Sequence, residues 1–218
     1  MRGKPLVVVI SLFCVPFAFS QTYPVAEFSM SFTVLNNEYG ADRQNSPGVQ
    51  FGFGYNLLRN LRLVGDFGAE THNTRIVWTN GRSADADSSQ MLVGPEFTIR
   101  NSEKVTPFFH GLVGVAIRNY AVPTGQWECS FDSCYETSFT VAKEYGFASA
   151  VGAGVDWHVH PMISFRVVQF DWLRTHLSRD NLAFSPIQSQ LPTLNGGQNN
   201  YRFSTGLVMR FGEKGKTK

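Results

Sequence analysis

"STGLVMRF", residues 204–211, puts Leu207, Met209 and Phe211 on one parity and Ser204, Gly206 and Arg210 on the other. Successive side chains of a strand point to opposite faces, so this stretch predicts a strand with one greasy side. A strand of a soluble sheet reads the same way. What separates the alternatives is whether the period recurs along the chain, and which face meets water.

The period does recur. "AEFSMSFTV" (26–34) sets Phe28, Met30, Phe32 and Val34 against Glu27, Ser29, Ser31 and Thr33. "GVQFGFGY" (48–55), "LRLVGDFGAE" (61–70), "QMLVGPEFTIR" (90–100) and "TPFFHGLVGVAIR" (106–118) follow the same grammar. "EYGFASAVGAGVDW" (144–157), "ISFRVVQFDWL" (163–173) and "NYRFSTGLVMRF" (200–211) complete a set of eight predicted strands. The stretches between them alternate: long (35–47), short (56–60), long (71–89), short (101–105), long (119–143), short (158–162), long (174–199). Such alternation predicts an all-β, eight-stranded antiparallel up-and-down barrel, with short periplasmic turns and long extracellular loops. An even count lets the first and last strands pair, which leaves no edge.

The ends of the chain read separately. "MRGK" is a basic start, "PLVVVISLFCVPFAF" is apolar, and Ala18 and Ser20 are small residues before Gln21. These parts predict a signal peptide over 1–20, cleaved between Ser20 and Gln21. Its apolar run, broken by Pro16, is short for a spanning helix. Leu12 and Phe13 are too bulky for a lipid-attachment site at Cys14, which leaves with the signal. Removal of 1–20 takes Arg2 and Lys4 from the 19 basic residues and nothing from the 17 acidic ones. The mature chain is formally neutral, and nothing in its charge points to nucleic acid. The barrel is expected over 21–212, with a periplasmic tail at 213–218. Cys129 and Cys134, in "CSFDSC", are the remaining cysteines; in an exported protein a nearby pair predicts a disulfide. Zinc would need more ligands than this stretch supplies.

Face composition then orients the sheet. The apolar set is dominated by Phe, Val, Leu and Met. The opposite set mixes glycine with charges of both signs: Glu27, Arg62, Asp66, Glu70, Glu96, Arg100, His110, Arg118, Asp156, Arg166, Asp171, Arg202 and Arg210. A soluble barrel would need the bulky set inside and would show water a glycine-rich, lysine-poor face. The inverse arrangement predicts a membrane barrel whose narrow lumen is filled by a charge network. Tyr55, Trp157, Phe165 and Phe211 lie near short turns, and Tyr145, Trp172 and Tyr201 near long connections, as two interfacial girdles would require.

Two irregularities are expected. Pro95 falls inside the fourth strand, where a closed sheet has no free edge, so a bulge or a weakened ladder is predicted. Arg166 differs in parity from Gln169 and Asp171, and a bulge near Val167–Val168 would return all three to one face.

With its eight-strand meander, signal peptide and last strand, the mature chain resembles the eight-stranded outer-membrane β-barrel families, those similar to the transmembrane domain of outer membrane protein A and opacity-type proteins. The resemblance implies a location in the outer membrane of a Gram-negative-type bacterium, contact with its lipids, and a monomer. It also implies that the spacing Ser204, Gly206, Met209, Phe211 is read by the barrel assembly machinery. The chain departs from the pattern in continuing through "GEKGKTK" beyond the final aromatic.

Some barrels of this kind act on lipids, which needs a nucleophile, a histidine base and an orienting acid within reach. His72 and His176 flank long connections near Thr71, Thr74, Thr175 and Ser178, but read more simply as solvated residues. His158 and His160 have ligand-like spacing without a third ligand, and His110 belongs with the lumen charges. No catalytic residue, metal site or cofactor is expected, and the chain is read as not an enzyme. Balanced acids and bases favour a plug over a pore, since buried charges must be paired or hydrated. The expected function is envelope integrity or contact with an extracellular ligand, which no motif identifies, through the loops. A narrow diffusion channel is the alternative, with a lipid-modifying enzyme behind it.

Overall fold

The computed structural model describes residues 23–39, 42–77, 83–102, 104–130, 133–178 and 197–213. The signal-peptide region 1–20 with its cleavage point, and tail residues 214–218, lie outside them. The eight strands are β1 (Ala26–Tyr39), β2 (Asp42–Asn56), β3 (Leu61–Val77), β4 (Ser83–Thr98), β5 (Val105–Ser130), β6 (Ser133–His160), β7 (Ile163–Ser178) and β8 (Gln198–Phe211). They form one closed antiparallel barrel in sequence order. β8 closes it on β1 from Ala26↔Phe211 to Asn36↔Tyr201, so no strand edge is left along the barrel wall.

The strands overrun the alternating stretches at one end. The connection expected over 35–47 is largely strand, paired down to Tyr39↔Asp42. Most of 71–89 continues β3 and β4, and most of 119–143 continues β5 and β6 out to Ser130↔Ser133. The long loops are therefore corrected to hairpin extensions. The physical reason is that beyond an apolar band the outward face meets water and can be polar, while the inward face stays buried, as at Leu35, Asn37, Ser46, Ala86 and Val122. The period-two pattern then vanishes, while the backbone ladder, which needs no particular side chain, carries on. Residues 179–196 of the last long connection lie outside the described residues. The short connections are as expected, for instance between Asn56 and Leu61 and between His160 and Ile163.

Both irregularities are present. The ladder of β4 with β5 steps from Val93↔Val113 to Glu96↔His110, leaving Gly94 and Pro95 unpaired on that side while Pro95 faces Leu63 of β3. The spacing is equal on both strands, so this is a weakened ladder and not a bulge; the missing proline N–H suffices to explain it. In β7, Asp156 faces Arg166 but Val155 faces Val168, which makes Val167 the extra residue. Val167 and Val168 both point outward, and Arg166, Gln169 and Asp171 all point in.

Face polarity is inverted relative to a soluble barrel. Met30, Phe53, Met91, Val113, Val151 and Leu207 are each at least half exposed on the outer wall, whereas Arg62, Glu96 and Arg202 are at most 4% exposed inside. The two aromatic sets, Tyr55, Trp157, Phe165 and Phe211 at the short-turn end and Tyr145, Trp172 and Tyr201 toward the other, all face outward. The interior is not purely polar. Leu35, Val64, Leu92, Leu112 and Leu173 pack with Ala116, Ala148 and Ala150 into an apolar cluster within the lumen. Large apolar side chains are therefore not confined to the outer face.

Candidate functional site

Parity places the lumen residues and register selects their partners. At the short-turn end Arg100 donates to Glu27 and to Asn56, each at 3.0 Å. Glu27 also pairs with Arg62, which in turn pairs with Glu96. His110 lies between Glu96 (Nδ1, 3.4 Å) and Asp171 (Nε2, 3.0 Å). Arg202 joins Asp171 at 2.8 Å to Asp66 at 2.9 Å, and Gln50 donates to Asp66. Arg166 grips Asp156 side-on through Nε (2.9 Å) and Nη2 (3.2 Å), and Gln169 links it onward to Asp171. Residues from all eight strands thus share one connected network of ion pairs and hydrogen bonds.

Glycine and an aromatic ring make room for it. Gly54 lets the Arg62 stem lie flat, with Cδ 3.2 Å from where a Cβ would be. Phe108, 2% exposed, stands in the lumen with the Arg166 guanidinium 4.5 Å and the Arg62 guanidinium 5.7 Å from its ring centre. A cation over a ring face is stabilised by the ring quadrupole, more so away from water.

Twelve of the thirteen charges expected in the lumen are buried there. Glu70 accepts a hydrogen bond from Gln90 Nε2 at 2.9 Å. Arg118 lies farther along, opposite Glu144 across the β5–β6 ladder. Arg210 is the exception: it is half-buried at the short-turn mouth, opposite Glu27 in the ladder, and makes no ion pair among the described residues. Glu27 is already saturated by Arg62 and Arg100, which leaves Arg210 outside the paired network.

Glu144, Gln50, Gln90 and Phe108 are lumen residues that the face assignment did not single out. Each was available by parity: Phe108 sits two residues before His110, and Glu144 shares its phase with Asp156. Ser204 and Gly206 of the expected assembly motif face inward, and Met209 and Phe211 face outward. A disulfide joins Cys129 to Cys134, residues directly opposite at the end of the β5–β6 hairpin. That hairpin reaches about ten residues, roughly 30 Å of chain, past Tyr120. It is kinked where the register shifts between Pro123 and Trp127, with Gly125 at a φ of 81°. Trp127 and Phe139 are exposed on it.

The histidines do not assemble a catalytic unit among the described residues. His158 contacts Thr106 Oγ1 at 2.7 Å and Ser164 Oγ at 2.6 Å, so both ring nitrogens are taken by hydroxyls and neither by an orienting carboxylate. His160 Nδ1 accepts from the Met162 backbone at 3.3 Å. His176 points outward against Phe147, and the side chain of His72 lies outside the described residues. No cluster of three or more His, Cys, Asp or Glu suited to a metal occurs among the described residues.

No family model matches the chain, and no curated protein does. Among solved structures the chain is similar to the crystal structure of Neisserial surface protein A. The TM-score is 0.54 at 10% identity, over 88% of this chain and 99% of that one. The fold is that of the eight-stranded outer-membrane β-barrels. Similarity extends to Ail, the attachment invasion locus protein of Yersinia pestis, solved with the heparin analogue sucrose octasulfate (TM-score 0.49, 15% identity, 84% of this chain and 99% of that one). It extends also to the outer membrane protein AlkL in lipid bilayers (0.43, 12%, 87% and 90%).

Proposed function

We propose that this chain is a small, monomeric, non-enzymatic barrel of the outer membrane of a Gram-negative-type bacterium. Its lumen is closed, and it serves the envelope or surface contact through the β5–β6 hairpin it holds above the membrane. In this reading the short turns are periplasmic, the outer wall meets lipid, and Ser204, Gly206, Met209 and Phe211 are read by the assembly machinery during insertion. The observation that carries it is the filled interior. The void lined by Glu27, Arg62, Asp66, Glu96, His110 and Arg166 measures about 20 Å³. That is about room for one water molecule, far from a solute path. Hydrogen-bonded ion pairs close the section around it, as an eight-stranded barrel with a packed lumen allows.

The test has two arms. The protein should sediment with outer membranes and migrate differently in detergent gels before and after boiling. Reconstituted in planar bilayers it should give no discrete conductance steps, and none should be altered by Arg62→Ala or Glu96→Ala. Reproducible steps that those substitutions change would replace the plug with a narrow channel. Unchanged membrane lipids with and without the protein are expected of a non-enzyme; an altered lipid pool would overturn that part. Exchange of 121–142 for a two-residue Asn-Gly turn should leave the barrel folded and remove its surface contacts. Contacts that survive the exchange would show that the hairpin is not their source.

A further inference from the structure

We propose that the short-turn rim of the barrel carries a site for one phospholipid of the adjoining leaflet, its phosphate on Arg210 and its acyl chains on the outer wall. The proposal rests on the placement of the short turns at the periplasmic face. β8 lies between β1 and β7 in the closed sheet, and a cleft opens over its last residues. Tyr23 and Pro24, which lead into β1, line it from one side, and Pro161 and Met162 of the β6–β7 turn from the other. The cleft measures about 360 Å³, against about 20 Å³ for the void inside the lumen. Small-molecule sites fall at about 300–1,000 Å³. Its walls are held in place. Val25 N–H donates to Phe211 O and Arg210 N–H to Met162 O, each at 2.9 Å. Proline stiffens the chain on both sides, and Gly212, at a φ of 67°, turns it just past the end of the ladder.

The lining selects a phosphate that carries hydrocarbon chains. Arg210 is half-buried and borders the cleft, while Glu27, opposite it in the ladder, is taken by Arg62 and Arg100. A guanidinium is a planar fork of donors that matches two phosphate oxygens at once. Phe211 and Met162, 46% and 57% exposed, border the same cleft. They continue the outward apolar face through Met209 and Ile163, which oppose each other across the β7–β8 ladder. A free inorganic anion would use the arginine alone, whereas a phospholipid uses the arginine and the apolar wall together. The depth agrees, since Tyr55, Trp157 and Phe165 mark this end of the wall and aromatic rings settle at headgroup level. Glu213 adds a carboxylate to the lining, which disfavours a second negative charge on the ligand and favours a zwitterionic head such as phosphoethanolamine.

The experiment is native mass spectrometry of the full barrel, folded in a non-ionic detergent and titrated with phosphatidylethanolamine. One lipid should bind ahead of any further copies. Glycerophosphoethanolamine, the head without chains, and diacylglycerol, the chains without phosphate, should each bind at least about tenfold more weakly. Arg210→Gln should weaken phosphatidylethanolamine by roughly ten- to a hundredfold, as loss of a charge-assisted hydrogen bond does. Arg43→Gln, at the opposite end of the barrel, should leave binding unchanged. Should Arg210→Gln fail to fold, Met162→Asp sets a charge where the chains would lie and should weaken the same binding. Undiminished binding in the cleft variant that folds would overturn the proposal. So would diacylglycerol binding as tightly as the phospholipid, which would mark a greasy surface, or glycerophosphoethanolamine doing so, which would mark a site for a free phosphate ester. The gel shift on boiling, run on the same samples, separates the two readings. A barrel that shifts but holds no lipid refutes this site alone, whereas a missing shift refutes the membrane barrel itself.

Discussion

The Arg166–Asp156 pair is the place to measure what the lumen network is worth. Both side chains are under a tenth exposed, and two parallel hydrogen bonds at 2.9 and 3.2 Å join them. An exposed pair of this kind contributes about 0–1 kcal/mol. Here each charge is held away from water, so removal of one partner strands the other. Arg166→Met leaves the Asp156 carboxylate without its main partner and frees Gln169 Oε1; Asp156→Asn leaves the guanidinium facing a neutral amide and the Phe108 ring. Each single change should cost about 3–5 kcal/mol, a factor of a few hundred to a few thousand in the unfolding equilibrium. The double variant removes both charges and should cost clearly less than the sum, by about 2 kcal/mol or more. Urea titration from lipid vesicles, followed by the fluorescence of the four tryptophans, reads all four corners of the cycle. Single losses below about 1 kcal/mol that simply add would refute the reasoning, because they would mean the pair is solvated like a surface salt bridge.

Three further outcomes are expected. Leu207→Arg, at a position 55% exposed on the outer wall, should destabilise the bilayer-inserted barrel by about 2–4 kcal/mol. A neutral result in vesicle titration would show that this face does not meet lipid. Removal of the disulfide by Cys129→Ser with Cys134→Ser should release about 2 kcal/mol of loop-closure restraint. It should speed hydrogen exchange over 121–142 while the gel shift on boiling stays unchanged; equal exchange would show that the hairpin needs no staple. Phe211→Ala should lower the yield of assembled barrel in cells without changing its stability once folded. Truncation after Gly212 should leave that yield intact, and pulse-labelled assembly assays distinguish the two.

Much of the barrel was legible because period-two patterning is a local property. Leu207, Met209 and Phe211 against Ser204, Gly206 and Arg210 define two faces whatever the strand pairs with, and eight such stretches with alternating spacers define a meander. The bulge at Val167 was legible for the same reason, since only an extra residue reconciles Arg166 with Gln169 and Asp171. What lies beyond the apolar band was not. In the hairpin beyond Pro123 the described side chains are exposed or half-exposed on both faces, so they no longer alternate although the backbone still pairs.

Partner choice in the lumen belongs to the tertiary structure alone. Arg62 reaches Glu27 and Glu96, Arg202 reaches Asp66 and Asp171, and Arg210 makes no ion pair among the described residues; all three are arginines on the inward parity. What distinguishes them is register and closure around the barrel, which set the height at which each side chain enters and whether a neighbour has already claimed its counter-charge. The amino-acid sequence by itself determines the number of strands, the two faces and the inversion of their polarity, because those follow from residue order along one strand. The tertiary structure decides which charges meet, that leucines share the lumen with them, and that a cleft opens beside Arg210 at the end of β8, because those follow only once eight strands are laid side by side.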